Sequence, residues 1–333
     1  MNIRNLYWNG DLPRFIFEGM RWDELLRLRE VGMNCGCEYT SFPLFRSIRE
    51  PYSRYDHSVG AALLVWRFTR SVAPSFAALF HDVASPCFSH VVDFMRGDHL
   101  RQESTEAGTR ETIEDAEYLA DLLARYGLSP EDVEDYHMYP IADNASPRLS
   151  ADRLEYTCGN LVNYGLRTKK EIRDLVDDLT VGKNEDGEEE LVFRSREKAL
   201  RFAKGALETG RIYVSDEDRF AMQALAALLR DALDAGVITP GDLWKDEPAL
   251  IAKLCRDPAW KTRWEHFRGY RKILRGTPEG LVIPAKKRYI DPIAEGEGRV
   301  SDICPAFREA VEAFLSEPQD IPLAGISAGA AEE

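Results

Sequence analysis

Two histidines and two aspartates have the side chains and the order expected of one metal-binding set. They are His57, the adjacent pair His81-Asp82, and Asp152. Imidazole and carboxylate ligands together suit Mn²⁺, Fe²⁺, Co²⁺, Ni²⁺ or Zn²⁺ better than Ca²⁺. Such an ion polarises a phosphoryl oxygen and lowers the pKa of bound water. We therefore predict one divalent transition metal ion, of unspecified identity, in a hydrolase that cleaves a phosphate ester or anhydride.

Two arginines and a tyrosine flank the predicted ligands. Arg54 precedes His57 by one helical turn, Arg153 follows Asp152 directly, and Tyr156 lies one turn further along. A guanidinium binds two phosphate oxygens at once and keeps its charge. We predict that all three residues bind substrate and that Arg54, together with Arg153, stabilises the charge that develops during catalysis. The alternative is that each arginine pairs with one of the many carboxylates.

These residues need helices that bring them together. Apolar residues repeat every three or four positions over roughly 58–70, 75–83, 111–126, 150–165, 196–212, 216–235 and 260–275, which predicts helices there. Neighbouring side chains on a helix point about 100° apart, so His81 and Asp82 can share an ion only near a helix end. Ser85-Pro86 places that end close by. The core of a helical bundle commonly collects such ligands from several helices.

The sequence predicts an all-α fold, mainly a helical bundle, with one or two short β-hairpins. One hairpin is expected around the turn at 184–187, and another from segments 281–283 and 288–290. We expect a metal-binding helical core at residues 1–167. A helical C-terminal region, 168–320, is expected to pack on this core as a lid or assembly surface, followed by a flexible tail at 321–333.

Bulk composition narrows the class of protein. The 333 residues are 44% hydrophobic, which is enough for a sizeable core, yet no apolar run has the length of a membrane span. The first residues lack a secretory signal, so we expect a cytoplasmic protein that binds no membrane. A net charge of −14 argues against nucleic acid as a partner, whereas a small phosphorylated substrate is compatible with local arginines. The six cysteines are expected to be reduced.

Three short stretches resemble one known family. Arg54 to Ser58, His81 to His90, and Asp152 to Tyr156 are similar to the signature of the HD superfamily of metal-dependent phosphohydrolases. The likeness covers residues 40–165 and is closest to the deoxynucleoside triphosphate triphosphohydrolase branch. This resemblance implies an all-α HD domain, the four ligands named above, a nucleotide substrate and a homodimer.

The sequence departs from that branch at two auxiliary histidines. Ser85 and Gln102 stand where the branch carries them, which puts triphosphate cleavage in doubt but leaves the metal site intact. Glu103, or His99 just upstream, is our candidate for the general acid or base. His90 is either a catalytic-site residue that orients a ligand or a core histidine. His137 is expected at the surface.

Two alternatives remain open. The missing histidines favour, as the second hypothesis, a nucleotide-binding regulator with reduced catalytic machinery. A third hypothesis is an iron oxygenase on the same fold, which requires a di-iron centre.

Overall fold

Helices dominate the computed structural model, which describes residues 4–97 and 108–328, and the mainly helical prediction is confirmed. The helices up to the last predicted ligand are α1 Arg4–Tyr7, α2 Arg14–Gly19, α3 Asp23–Arg27, α4 Pro43–Arg46, α5 Arg54–Thr69, α6 Val72–Phe80, α7 Val91–Arg96, α8 Thr109–Glu114, α9 Glu117–Arg125 and α10 Ala151–Asn163. The later helices are α11 Lys169–Asp177, α12 Arg196–Ile212, α13 Asp216–Asp234, α14 Glu247–Leu254, α15 Pro258–Arg268, α16 Val300–Ile303 and α17 Pro305–Ser316. None of those helices combines the length and apolarity needed to cross a bilayer.

Six short strands form two small sheets in the described part of the chain. They are β1 Leu179–Lys183, β2 Glu189–Phe193, β3 Tyr270–Arg275, β4 Ile293–Ala294, β5 Gly298–Arg299 and β6 Leu323–Ser327. The first sheet has the order β1-β2-β4-β5, and its β1-β2 hairpin confirms the prediction around 184–187. In the second sheet β3 pairs antiparallel with β6, so that Arg275 lies opposite Leu323.

The second sheet corrects three expectations. The helix predicted over 260–275 ends at Arg268, and its second half is β3. The hairpin predicted from 281–283 and 288–290 is wrong, because Leu281 forms an isolated bridge with Leu323 instead. Residues 323–327, expected within the flexible tail, form β6. A partner strand distant in sequence explains all three differences, since neither helical periodicity nor turn residues reveal it.

Helix α5 lies at the centre of the fold and packs against both α6 and α10. Two clusters of buried hydrophobic residues fill the interior. The larger joins these three helices to α12 and the first sheet, and the smaller joins α13 and α15 to the region around Phe88. Both clusters combine residues from before and after position 167. The division of the chain at 167 stays a prediction.

Candidate metal centre

A capped helix start positions His57. The side chain of Ser53 accepts a hydrogen bond from the backbone N–H of Asp56, and the Asp56 side chain accepts one from the backbone of Ser53. This reciprocal capping satisfies two of the free N–H groups at the start of α5. His57 therefore lies in the first turn of α5, where its side chain enters the interior and is 2% exposed.

The end of α6 positions the His-Asp pair, as the sequence predicts. His81 is the C-cap residue directly after α6, and Asp82 begins the turn that leads to Ser85-Pro86. Both side chains are buried. His81 Nε2 and Asp82 Oδ2 lie 3.7 Å apart, so these two consecutive side chains approach the same point.

The start of α10 positions Asp152. Ser150 is the N-cap and accepts a hydrogen bond from the backbone N–H of Arg153. Asp152 is the second residue of the helix, so its side chain leaves the helix at its amino end. Ser150 also donates a hydrogen bond to Asp143, which ties the cap to the preceding loop.

Side chains from these three helix ends converge. His57 Nε2 lies 3.1 Å from His81 Nε2 and 3.1 Å from Asp152 Oδ1. His81 Nε2 lies 3.5 Å from the same Asp152 oxygen. One ligand atom from each of the three residues lies within 4.8 Å of the others, a spacing that a single ion can bridge. The structure therefore brings three of the four predicted ligands together, and their role as metal ligands stays a prediction.

Asp82 lies beside this group but is also engaged elsewhere. Its Oδ2 is 3.8 Å from His57 Nε2 and 3.7 Å from His81 Nε2. The same oxygen accepts a hydrogen bond from Arg54 Nη1 at 2.7 Å, and Oδ1 accepts one from Ser85 at 3.1 Å. Burial alone raises the pKa of Asp82, but Arg54 and the two histidines outweigh burial and lower it. Asp82 is therefore an anion at neutral pH.

The hydrogen bonds of the two imidazoles fit a cation between them. His81 Nδ1 lies 2.8 Å from the carbonyl of Ala78 and must donate to it, while His57 Nδ1 lies 2.5 Å from Glu155 Oε2. With both Nδ1 atoms committed as donors, both neutral rings present Nε2 lone pairs toward Asp152. Three acceptors facing one another repel unless a cation lies between them, so the donor set fits a divalent metal.

Without a metal, protons take the place of that cation. Burial by itself lowers the pKa of His57, but hydrogen bonds to Asp152 and Glu155 raise it to about 10. Burial also lowers the pKa of His81, but the charge of Asp82 and contacts with Asp152 outweigh burial and raise it. The same two histidines hold the pKa of Asp152 well below its usual range despite burial. The site is therefore built to hold positive charge.

Two residues that support the histidines escaped the sequence analysis. Glu155 accepts hydrogen bonds from His57 and from the hydroxyl of Tyr52. The ring of Tyr136 packs on that of His81, with centroids 4.7 Å apart. A signal for Glu155 was available, because it follows Asp152 by three residues and so lies on the same face of α10. No comparable signal marks Tyr136, which reaches the site from a short 3-10 helix, Tyr136–Met138.

A cavity of about 500 Å³ opens onto the cluster. Its walls include all four predicted ligands together with side chains from both halves of the chain. The remaining lining residues are Met33, Asn34, Cys35, Arg54, His90, Tyr136, His137, Asp143, Ser146, Arg153, Tyr156, Asn160, Tyr164, Tyr213, Asp218, Met222, Lys286, Lys287, Arg288 and Tyr289. The sequence does not predict that the basic segment 286–288 lines the cavity, because no candidate ligand lies beyond residue 167.

The predicted substrate-binding residues all line this cavity, but two of them already have partners. Arg54 donates to Asp82 and Ser89, and Arg153 forms an ion pair with Asp143 at 3.0 Å. Tyr156 lies on the cavity wall. Their contact with substrate stays a prediction, and the ion pairs show that the alternative role of each arginine is realised.

The auxiliary candidates are placed differently from one another. His90 lines the cavity and its Nδ1 lies 3.0 Å from Asp93 Oδ2, while burial lowers its pKa. His137 is exposed, as predicted, and it also lines the cavity next to Asp143. Glu103, His99 and Gln102 lie outside the described residues. The catalytic roles of His90 and Glu103 stay predictions.

The side chain of Ser85 contacts one of the predicted ligands. Its side chain is buried and donates a hydrogen bond to Asp82. The hydroxyl thus orients an oxygen of the cluster instead of extending into the cavity. No disulfide joins the six cysteines in the described structure, and their reduced state stays a prediction.

Comparisons with known proteins give distant relatives. No protein-family model matches the chain. The chain is 28% identical over 281 residues to the metal-dependent phosphohydrolase cns2 of Cordyceps militaris, covering 81% of this chain and 79% of that protein. It is 26% identical over 202 residues to the uncharacterised protein YdhJ of Bacillus subtilis, covering 60% of each.

A solved structure shares the fold. The phosphohydrolase BT4208 of Bacteroides thetaiotaomicron superposes with a TM-score of 0.53 at 15% identity, covering 81% of this chain and 77% of that one. At this identity the likeness establishes the architecture alone. The arrangement of helices described above is therefore one that a known protein also adopts.

Proposed function

We propose that this protein is a metal-dependent phosphohydrolase that acts on a small phosphorylated molecule. The observation that carries the proposal is the convergence of His57, His81 and Asp152 from three separate helix ends. Support for a hydrolase comes from the name of the Cordyceps militaris relative and from the fold shared with a phosphohydrolase. The resemblance to the HD superfamily points to the same chemistry.

The residues around the cluster have distinct tasks in this proposal. His57, His81 and Asp152 would hold the ion, with Asp82 next to them. Glu155 fixes the orientation of His57, and Arg54 fixes that of Asp82. A divalent ion bound there supplies Lewis-acid activation of the phosphoryl group and of the attacking water.

A nucleotide is the substrate that we propose. A cavity of about 500 Å³ has the size of typical small-molecule sites. Its tyrosines suit an aromatic base, and its cations suit phosphate oxygens. The net charge of −14 disfavours long polyanions, so a single nucleotide fits better than a nucleic acid.

The test is hydrolysis of a panel of nucleotides and phosphomonoesters with Mn²⁺, Co²⁺, Ni²⁺ or Mg²⁺. We expect turnover with at least one metal and its loss in His81→Ala, Asp82→Ala and Asp152→Ala. His266→Ala, which removes an exposed histidine on α15, is the matched control and should remain active. Full activity of the His81→Ala variant would exclude the proposal.

Ser85 motivates a second candidate, a nucleotide-binding regulator with little or no turnover. The position that carries an auxiliary histidine in the triphosphohydrolases here holds a hydroxyl bound to Asp82. Thermal unfolding with metal and nucleotides separates the two candidates. Stabilisation by a nucleotide without hydrolysis, for every metal tried, would favour the regulator.

A further inference from the structure

A segment from the C-terminal half forms part of the cavity wall. Residues 283–291, here called the strap, contain no helix or strand, and Lys286 to Tyr289 line the cavity. The strap is fixed at several points along its length. Arg219 donates to the carbonyl of Ile283, and the backbone N–H of Ala285 donates to the side chain of Gln319 at 2.8 Å.

The middle of the strap is fixed as well. Lys287 Nζ donates to the carbonyl of Leu315 at 2.7 Å, at the end of α17. Helix α12 approaches the strap backbone so closely at Gly210 that an added Cβ would lie 2.6 Å from the carbonyl oxygen of Arg288. The backbone that carries the cavity-lining side chains of the strap is therefore fixed by contacts with α12 and α17.

Arg288 differs from the other arginines of the cavity. Arg54 is bound to Asp82 and Arg153 to Asp143, whereas no hydrogen bond or ion pair of the Arg288 guanidinium is found within residues 4–97 and 108–328. The side chain is nevertheless half-buried. Because Arg288 lines the cavity and its guanidinium has no protein acceptor among the described residues, its N–H groups can form charge-assisted hydrogen bonds with an anionic ligand there.

The charge of Arg288 acts inside the cavity. It contributes to lowering the pKa of His90, after burial, and opposes the rise that burial causes in the pKa of Tyr156. His90 precedes α7 and Tyr156 lies on α10, the helix that carries Asp152. The positive charge of Arg288 therefore influences side chains on two walls of the cavity that opens onto His57, His81 and Asp152.

We infer that Arg288 is a substrate-binding residue that holds phosphate oxygens of the ligand in the cavity of the His57–His81–Asp152 cluster. This inference rests on the proposed function for the identity of the ligand. In this inference the main contact with the anion is made by Arg288 of the strap, and not by Arg54 or Arg153. A planar guanidinium can engage two oxygens of one phosphate, so Arg288 selects ligands with a phosphate of at least two free oxygens.

The test compares Arg288→Gln and Arg288→Lys with the unaltered chain. Arg308→Gln, which removes an exposed arginine on α17, is the matched control for net charge. Binding of inorganic phosphate is measured by calorimetry on Mn²⁺-loaded protein, together with metal content and circular dichroism. Hydrolysis of p-nitrophenyl phosphate then gives kcat and KM separately.

We expect Arg288→Gln to weaken phosphate binding and raise KM about tenfold or more, because a charged hydrogen-bonded pair is lost. Metal content, the circular dichroism spectrum and kcat should change little. Arg288→Lys should recover part of the affinity, and Arg308→Gln should match the unaltered chain. The split between KM and kcat separates a binding role from a structural one.

Unchanged phosphate affinity in Arg288→Gln, or absence of phosphate binding by the unaltered chain, would overturn the inference. The same experiments separate failure of this inference from failure of the proposed function. Phosphate binding that needs Arg288, without hydrolysis of any phosphate ester, would reject the phosphohydrolase and keep the inference. Hydrolysis with an unaltered KM in Arg288→Gln would do the reverse.

Discussion

Glu155 Oε2 lies 2.5 Å from His57 Nδ1 and also accepts a hydrogen bond from the hydroxyl of Tyr52. Its carboxylate is fully buried, and burial raises its pKa while the contact with His57 lowers it. A carboxylate behind a metal-binding histidine fixes the ring and increases its basicity. Glu155 thus links the position of α10 to the orientation of the histidine on α5.

The first prediction concerns this contact. Replacing Glu155 by Gln keeps the shape but removes the charge that supports His57. We expect the affinity for Mn²⁺ or Co²⁺ to fall about 10- to 100-fold, as is typical for such supporting groups. Calorimetric titration of the metal-free protein measures the change. Glu312→Gln, on the exposed face of α17, is the matched control, and equal affinities in the two variants would contradict the assigned role.

The second prediction concerns the close contact between Gly60 of α5 and Glu155 of α10. An added Cβ at Gly60 of α5 would lie 2.5 Å from Glu155 Oε1, which is buried and has no hydrogen-bond partner in the described structure. Gly60→Ala should therefore displace the carboxylate and destabilise the fold by about 1–3 kcal/mol. Metal affinity should fall as well.

Urea unfolding and metal titration of Gly60→Ala measure both effects. Gly241→Ala serves as the control, because the nearest atom to an added Cβ there is 4.0 Å away. A Gly60→Ala variant as stable as Gly241→Ala would show that α5 and α10 can separate without cost.

The third prediction is that metal removal destabilises the protein. An ion that binds the folded chain alone adds about 2.7 kcal/mol when its concentration is 100 times its Kd. Addition of EDTA should lower Tm, and excess Mn²⁺ or Co²⁺ should restore it. Asp152→Asn, which replaces an oxygen shared by both histidine contacts, should abolish this response. A Tm that changes with neither EDTA nor added metal would argue against a metal site.

The sequence predicted the elements of the site well because local rules determine them. His57 lies at the start of α5 and His81 directly after α6, as expected, and Asp152 lies on the predicted later helix, α10. The interaction of Arg54 with Asp82 was foreseen only as a general alternative. Residue spacing along a helix contains no information about which partner a guanidinium will find across the core.

Other parts of the structure depend on contacts between distant segments. β3 was predicted as helix because its partner, β6, lies far away in sequence. Arg288 enters the cavity from an irregular strap whose anchors are Arg219, Gln319 and the end of α17. No periodicity marks such a segment, so its contribution to the site becomes visible only in three dimensions.

The fourth prediction concerns pH and two acids, Glu38 and Glu247, that do not line the cavity. Glu247 is 2% exposed and accepts hydrogen bonds from the backbone of Gly32 and the hydroxyl of Tyr39. Burial raises its pKa to about 7, and burial with repulsion from Glu247 raises the pKa of Glu38 to about 8. Glu38 Oε2 is buried without a hydrogen-bond partner in the described structure.

Both folded pKa values exceed the unfolded value of about 4.3. At pH values between the unfolded and folded pKa, the folded state therefore binds more protons than the unfolded state. The protonated acids therefore stabilise the fold fully below about pH 4, and this stabilisation is lost as the pH rises through the folded pKa values. Urea unfolding between about pH 5 and pH 9 should show this decline, and Glu38→Gln should flatten it. Glu312→Gln should leave the decline unchanged, and a decline that persists in Glu38→Gln would reject the assignment.

The fifth prediction concerns the buried pair of Arg54 and Asp82, whose side chains are 7% and 3% exposed. Arg54→Gln leaves the Asp82 charge without its partner, which costs about 3–5 kcal/mol in a buried site. A bound cation next to Asp82 would compensate part of this loss, since Asp82 Oδ2 lies within 3.8 Å of His57 Nε2. Urea unfolding in EDTA should therefore show a larger loss than unfolding in Mn²⁺. Arg14→Gln, at an ion pair whose arginine is 84% exposed, should cost less than about 1 kcal/mol in either condition. An equal loss for Arg54→Gln with and without metal would mean that the cation does not compensate the charge of Asp82.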